Sequence, residues 1–118
     1  MPDDLPLRSA RRLAPDLLIG ATCRTRADVE AAADHGADYA GFGPLFATVS
    51  KPGLPDPFGL AALAEATGVL PLIGIGGIDA DRAGDARSAG AHGVAVISGI
   101  WQSRDPVASA KELVAAVR

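Results

Sequence analysis

The stretch LIGIGGIDADRAGDARSAGAHGVAVI, residues 72–97, decides the fold, because LIGATCRTRADVEAAADHGADYAGFG, residues 18–43, aligns with it without a gap. Both stretches open on Leu-Ile-Gly, and the Gly-Ala pair at positions 36 and 37 recurs at positions 90 and 91, an offset of 54. Each copy contains an apolar run, a helical stretch, a Gly-Ala turn and a second apolar run. This pattern predicts two strand–helix–strand units in tandem, and therefore an α/β domain with a parallel sheet.

Four strands are expected from the apolar runs, at residues 17–21, 38–43, 71–75 and 92–97. Each is followed by a helical stretch, so the crossover rule predicts a sheet in sequential order with the helices on one face. We expect Thr25 and Asp79 to cap two of the helices, and Asp105 with Pro106 to begin the last one. No linker divides the chain, and we expect residues 1–118 to form a single domain.

Composition restricts the class of protein. Hydrophobic residues make up 48% and charged residues 21%, which is typical of a globular domain. The formal net charge of −3 argues against nucleic acid or an anionic membrane as the main partner. The single cysteine, Cys23, excludes an intrachain disulfide framework, and we expect it to be a small core residue. No run approaches the roughly 18 apolar residues of a membrane span, and the start of the chain does not resemble a signal peptide, so we expect a cytoplasmic protein.

One loop carries candidate anion-binding groups. Thr48, Ser50 and Lys51 lie within four residues, between glycines and prolines, after the second predicted strand. Lysine supplies a point charge and the hydroxyls supply oriented hydrogen bonds, a combination that suits phosphate or pyrophosphate. A solvated loop with one lysine is the alternative interpretation of this segment taken alone.

The last two predicted strands end in glycine-containing turns. Gly76-Gly77 follows the third strand, and Ser98-Gly99 follows the fourth and opens a short helical turn. Glycines let an anion approach the backbone closely, and (β/α)8 barrels of the TIM type bind phosphate at the corresponding loops. Each turn alone is explained by chain reversal or helix capping, but their shared position favours a phosphate site.

These segments together identify a family resemblance. The chain resembles the C-terminal half of thiamine phosphate synthase, in the family that also contains the thiazole tautomerase. The matching segments are Asp4-Leu5-Pro6, Ile19-Gly20-Ala21-Thr22, Gly36-Ala37-Asp38-Tyr39, Gly43 to Lys51, Gly74-Ile75-Gly76-Gly77-Ile78 and Gly93 to Ser98. The resemblance implies a TIM-type barrel, present here as a half-barrel of four parallel β/α units.

The resemblance also implies a reaction, a cofactor and site residues. The family is a transferase that joins a hydroxymethylpyrimidine diphosphate to a thiazole phosphate with Mg2+, giving thiamine phosphate and pyrophosphate. Matched residue by residue, Lys51 and Thr22 correspond to groups at the pyrimidine diphosphate, and Asp4 to a magnesium ligand. The residues that correspond to the thiazole-phosphate site are Thr48, Val49, Ser50, Gly77, Ile97 and Ser98.

The chain departs from the family pattern because the first four strands are missing. It could be a fragment, pair with a separate N-terminal half-barrel, or self-associate. The tautomerase branch places an acid–base histidine two residues after the position of Thr22, where this chain has Arg24. Arginine does not lose its proton at neutral pH, which disfavours that branch. A non-catalytic phosphate-binding or assembly module is the third hypothesis.

Overall fold

The computed structural model describes residues 6–46 and 59–118. A helix precedes the first strand, helices and strands then alternate as far as the fourth strand, and two helices follow it. The elements are α1 (Leu7–Leu13), β1 (Gly20–Cys23), α2 (Arg26–Asp34), β2 (Tyr39–Phe42), α3 (Gly59–Glu65), β3 (Leu72–Ile75), α4 (Ala80–Ser88), β4 (Gly93–Ala95), α5 (Ser98–Trp101) and α6 (Pro106–Ala116). None of the helices within these residues is both long enough and apolar enough to span a membrane.

The strands form one parallel sheet in the order β1-β2-β3-β4. This confirms the predicted sequential order and the α/β class. One row of paired residues crosses the whole sheet, from Thr22 through Gly41 and Ile73 to Gly93. Because all four strands run the same way, their C-terminal ends lie at one edge of the sheet.

Each strand differs from its predicted range by one to three residues at one end or at both. The first begins at Gly20 rather than residue 17, because Tyr39, the first residue of β2, pairs with Gly20 and the carbonyl of Leu17 accepts a hydrogen bond from Arg11 instead. The fourth ends at Ala95 rather than residue 97, because Ala95 pairs with the last residue of β3. A parallel ladder can extend only as far as its neighbouring strand provides partners.

Helix starts agree with the predicted caps. The side chain of Thr25 accepts a hydrogen bond from the backbone N–H of Asp28, and Asp79 does the same for Arg82. Asp105 accepts from Ala108 and is followed by a proline at the first helical position. Each side chain satisfies one N–H that the helix itself leaves unpaired.

Alternate residues of the strands face a covered and an open side of the sheet. On the covered side, Ala40, Phe42 and Leu72 are buried in one cluster with residues of α2, α3, α4 and α6. On the other side, Tyr39 and Ile75 are 38% and 39% exposed. This burial pattern agrees with helices on one face, and within the described residues it leaves the other, apolar face of the half-barrel open.

A polar clamp fixes α1 to the start of β2. The Nε and Nη2 of Arg11 donate to the carbonyl of Gly36 at 3.0 and 2.7 Å, and its Nη2 also lies 2.5 Å from Asp38 Oδ2. The same carboxylate oxygen accepts a hydrogen bond from the backbone N–H of Ile19 at 2.9 Å. The Ile19 N–H, and next the Arg11 guanidinium, hold the pKa of Asp38 below its ordinary value.

We predict that Asp38→Asn destabilises the fold in a pH-dependent way. Because the pKa of Asp38 is lower in the folded than in the unfolded chain, the carboxylate stabilises the fold above its unfolded pKa of about 3.9. That contribution is lost as the pH falls through the folded-state pKa. Urea unfolding from pH 7 to pH 2.5 should show a stability difference from wild type that disappears in acid.

The matched control for this variant is Asp16→Asn, at an exposed carboxylate in the turn after α1. It should cost much less stability at pH 7 than Asp38→Asn does. A difference between Asp38→Asn and wild type that stays constant down to pH 2.5 would show that the clamp does not depend on the ionised carboxylate.

Candidate functional site

The candidate site lies where β3 and β4 end. After Ile75 the chain turns through Gly76 and Gly77, whose φ angles of 99° and 66° lie in the left-handed region that favours glycine. Asp79 then caps α4. After Ala95 the chain runs through Val96 and Ile97 into α5.

These two strand ends are in direct contact. A Cβ atom added to Gly99 would collide with the carbonyl oxygen of Ile78 and would lie 2.8 Å from Cγ1 of Val96. The first turn of α5 therefore packs against the glycine turn after β3, with no room for a side chain at position 99. The structure thus brings Gly77 and the start of α5 into one small region.

The residues after β2 reach the same region. The backbone N–H of Leu45 donates to the carbonyl of Ile75 at 2.9 Å, and that of Phe46 donates to the carbonyl of Gly76 at 3.1 Å. Gly76 has no space for a Cβ atom, which would lie 2.8 Å from Cα of Pro44. The segment that leads to the predicted anion-binding loop therefore runs alongside the glycine turn.

One arginine that the sequence analysis did not single out lies at this turn. Arg82, in the first turn of α4, donates from Nη1 to the carbonyl of Gly77 at 2.9 Å. Its guanidinium carbon lies 4.9 Å from the centroid of the Phe46 ring, within the range of a cation–π contact. One sequence signal could have identified Arg82: it lies three residues after Asp79, which caps the helix. That spacing places the side chain beside the preceding turn.

The predicted site residues fall into three groups: those at the ends of β3 and β4, those outside the described residues, and Thr22. Gly77 and Ile97 lie at the described strand ends, and the Ile97 side chain is 58% exposed. The backbone of Ser98 begins α5 beside them. The remaining predicted residues of the anion-binding loop and the predicted metal ligand lie outside the described residues, namely Thr48, Val49, Ser50, Lys51 and Asp4.

Thr22 lies apart from the glycine turn. It is an exposed residue of β1 on the open side of the sheet, while Ile97 follows β4. Neighbouring strands are about 4.8 Å apart, so the two edge strands are separated by roughly 14 Å. A ligand that touched both positions would have to extend across the open side of the sheet.

Cys23 follows Thr22 and faces the covered side. Burial, and next the nearby Asp28 carboxylate, raise the pKa of the Cys23 thiol. A buried thiol with a raised pKa is a poor nucleophile, which agrees with its interpretation as a small core residue.

The described residues alone do not form a magnesium cage. Within residues 6–46 and 59–118, no three side chains of His, Cys, Asp or Glu come together as a metal-binding group. Magnesium takes oxygen ligands and usually retains several waters, so a single protein carboxylate together with substrate phosphates can hold it.

Comparisons with known proteins identify relatives of this chain. A bifunctional thiamine biosynthesis protein of Symbiobacterium thermophilum is 48% identical over 98% of this chain, which covers 25% of that protein. Thiamine-phosphate synthase of Anaeromyxobacter dehalogenans is 47% identical over 97% of this chain. The chain spans 53% of that enzyme, and therefore about half the length of a relative with this single activity.

Solved structures give the same result. Thiamine phosphate pyrophosphorylase from Pyrococcus furiosus superposes with a TM-score of 0.85 at 33% identity, over 98% of this chain and 56% of that one. A 3-hexulose-6-phosphate synthase superposes with a TM-score of 0.74 at 23% identity, which shows the fold alone. The sequence model described as thiamine monophosphate synthase matches residues 2–100. The chain therefore belongs to the thiamine monophosphate synthase family, as half of its α/β barrel.

Proposed function

We propose that this chain supplies the thiazole-phosphate half of a thiamine phosphate synthase. The observation that carries the proposal is the contact between the glycine turn after β3 and the start of α5, in a chain matched by the family model over residues 2–100. In barrels of this type, phosphate sits at the loops that follow the last two strands. We assign the phosphate of the thiazole substrate to Gly77, Ile97 and Ser98.

The N-terminus of α4 is less available to the phosphate than the glycine turn. The carboxylate of Asp79 already accepts the hydrogen bond of the Arg82 N–H at this helix end and adds a negative charge. Gly77 has no side chain, so its backbone can approach an anion closely. The proposed phosphate contacts are therefore the glycine turn and Ser98 rather than α4.

The reaction is a substitution at the methylene carbon of the pyrimidine. The bond from that carbon to the pyrophosphate oxygen breaks, and pyrophosphate leaves with the electron pair. The lone pair of the thiazole nitrogen then forms the new C–N bond, giving thiamine phosphate. This chain contributes the binding of the thiazole phosphate, which holds the nitrogen in line with the cationic carbon.

Lys51 and Thr22 act on the other substrate in this proposal. Lys51 places a positive charge beside the departing pyrophosphate, and the hydroxyl of Thr22 faces the pyrimidine diphosphate from the open side of the sheet. Asp4 is the one magnesium ligand assigned to this chain, and Mg2+ would neutralise charge on the diphosphate when bound. We place the protein in the cytoplasm, where phosphorylated intermediates of this kind are available.

The proposed partner is a complementary half-barrel. Large apolar side chains are exposed on both flanks of the sheet, among them Leu18 (82%) beside β1 and Trp101 (76%) beyond β4. Parallel sheets are ordinarily covered on both faces and closed or protected at their edges. Four further parallel strands would pair with both edge strands and cover Tyr39, Ile75 and Ile97.

A second copy of this chain fits less well than a complementary half. The 54-residue repeat aligns α1 with α3, since residues 7–13 shifted by 54 become residues 61–67, which overlap Gly59–Glu65. At the β2–β3 junction α3 is the connecting helix. If β4 of one copy paired with β1 of another, two helices would have to share the new junction. There α6 of the first copy and α1 of the second would compete for the one position that α3 occupies beside β2 and β3.

We predict that Ser98→Asp weakens binding of thiazole phosphate about tenfold or more. The new carboxylate would repel the phosphate at short range, and tenfold corresponds to ~1.4 kcal/mol. Isothermal titration of thiazole phosphate into wild type and variant measures the effect. Ser88→Asp adds the same charge at the C-terminal end of α4 and should leave the affinity unchanged. Equal affinities for Ser98→Asp and wild type would remove the phosphate from this position.

Lys51→Ala should lower the turnover of the completed barrel about 100-fold. The charge of Lys51 stabilises the departing pyrophosphate more in the transition state than in the ground state. The assay measures synthesis of thiamine phosphate by the chain mixed with the half of the Anaeromyxobacter dehalogenans enzyme that this chain does not match. Lys111→Ala, at the only other lysine, is the matched control and should keep the wild-type rate. A wild-type rate from Lys51→Ala would refute the assigned role.

We predict that the chain forms a one-to-one complex with the unmatched half of the Anaeromyxobacter dehalogenans enzyme, which sedimentation velocity would detect. Trp101→Glu should weaken this complex because it places a charge on the apolar flank beside β4, whereas Ala31→Glu, at an exposed position of α2, should not. If the chain formed only homodimers, and these were sensitive to Trp101→Glu, the complementary-half proposal would be wrong and self-association would replace it.

A further inference from the structure

Arg82 connects three parts of the candidate site. Its backbone N–H is bound by the cap of α4, its Nη1 donates to the carbonyl of Gly77 at 2.9 Å, and its guanidinium lies over the ring of Phe46. Phe46 is itself tied to the glycine turn, because its N–H donates to the carbonyl of Gly76 at 3.1 Å. Arg82 and Phe46 therefore hold the turn from the side of α4 and from the side of β2.

The two ties fix two successive peptide planes. A trans peptide is planar and its C=O and N–H point in opposite directions. The bond from Phe46 to the carbonyl of Gly76 therefore sets the direction of the Gly77 N–H, and the bond from Arg82 to the carbonyl of Gly77 sets that of the Ile78 N–H. Without such ties, two adjacent glycines can adopt several backbone conformations at similar energy.

We propose that Arg82 is a positioning residue of the phosphate subsite, in which its guanidinium, resting on Phe46, holds the Gly77–Ile78 peptide in one orientation. This inference rests on the proposed function of the turn. Donors aimed in advance at an anion bind it more strongly than donors that must reorient, because no reorganisation accompanies binding. Arg82 thus acts on the phosphate through the backbone rather than by contact with it.

The charge of Arg82 has a second effect in the same direction. The carboxylate of Asp79 lies at the same helix end, where it would oppose the approach of an anion. The guanidinium, which donates to the carbonyl of Gly77, places a positive charge at the glycine turn and offsets that repulsion. Substitution by methionine removes the hydrogen bond and the charge together, whereas Phe46→Leu removes the aromatic surface and retains the charge.

The experiment measures order and affinity separately. Backbone 15N order parameters of Gly77 and Ile78 in the isolated chain should fall from about 0.85, the value of rigid backbone, to below about 0.6 in Arg82→Met. Titration with thiazole phosphate should show affinity weakened roughly threefold to tenfold in Arg82→Met, the range expected for one hydrogen bond. Phe46→Leu should change both quantities in the same direction by a smaller amount.

Arg87→Met is the matched control. Arg87 also lies in α4 and also donates to backbone carbonyls, those of Ala91, His92 and Val117, but at the opposite end of the helix. Its substitution should lower thermal stability and leave the order parameters of the turn and the phosphate affinity unchanged. This control separates local positioning from a general weakening of α4.

Three results would overturn the inference. The first is wild-type order at Gly77 and Ile78 in both Arg82→Met and Phe46→Leu. The second is an Arg82→Lys variant that recovers the affinity while the turn remains disordered, since the charge would then contact the phosphate directly. The third is that Arg82→Met does not fold and Phe46→Leu has wild-type order and affinity. Failure of wild type to bind thiazole phosphate would instead refute the proposed phosphate site, with the order parameters still reporting whether Arg82 holds the turn.

Discussion

Parallel pairing of the four strands is the constraint on which the rest of the structure depends. Because β1 to β4 run in the same direction, every strand-to-helix connection leaves the sheet at one edge. The glycine turn after β3, the start of α5 and the segment after β2 meet there without any further device. The clamp of Arg11 and Asp38 lies at the opposite edge, where the strands begin. It stabilises the fold and is away from the candidate site.

The same constraint leaves the half-barrel incomplete. Successive side chains of a strand face opposite sides of the sheet. Phe42 and Leu72 therefore lie in the covered core, whereas Tyr39 and Ile75 lie on the open side. In a closed barrel the open side would become the interior, filled by side chains from all strands. Large apolar residues are exposed on both flanks of the sheet, and the chain spans about half of the matched synthase.

Much of this architecture could be predicted from the sequence, for identifiable reasons. The 54-residue repeat predicted the strand order, and Thr25, Asp79 and Asp105 predicted three helix starts, because capping depends on local chemistry. The ends of β1 and β4 could not be predicted from apolar runs, since the length of a ladder depends on its neighbour. The contact between Arg82 and Phe46 could not be predicted, because it joins residues 36 positions apart and no local pattern reveals it. The roles of Asp4 and of the loop from Thr48 to Lys51 remain predictions from the resemblance.

A structure of the chain assembled with a complementary half-barrel, with thiazole phosphate bound, tests the central claim most directly. We predict eight parallel strands in a closed barrel, with the phosphate within hydrogen-bond distance of the Gly77 turn and of Ser98. A phosphate held at the other edge of the sheet, or only by the complementary half, would contradict the claim that this chain carries the thiazole-phosphate site.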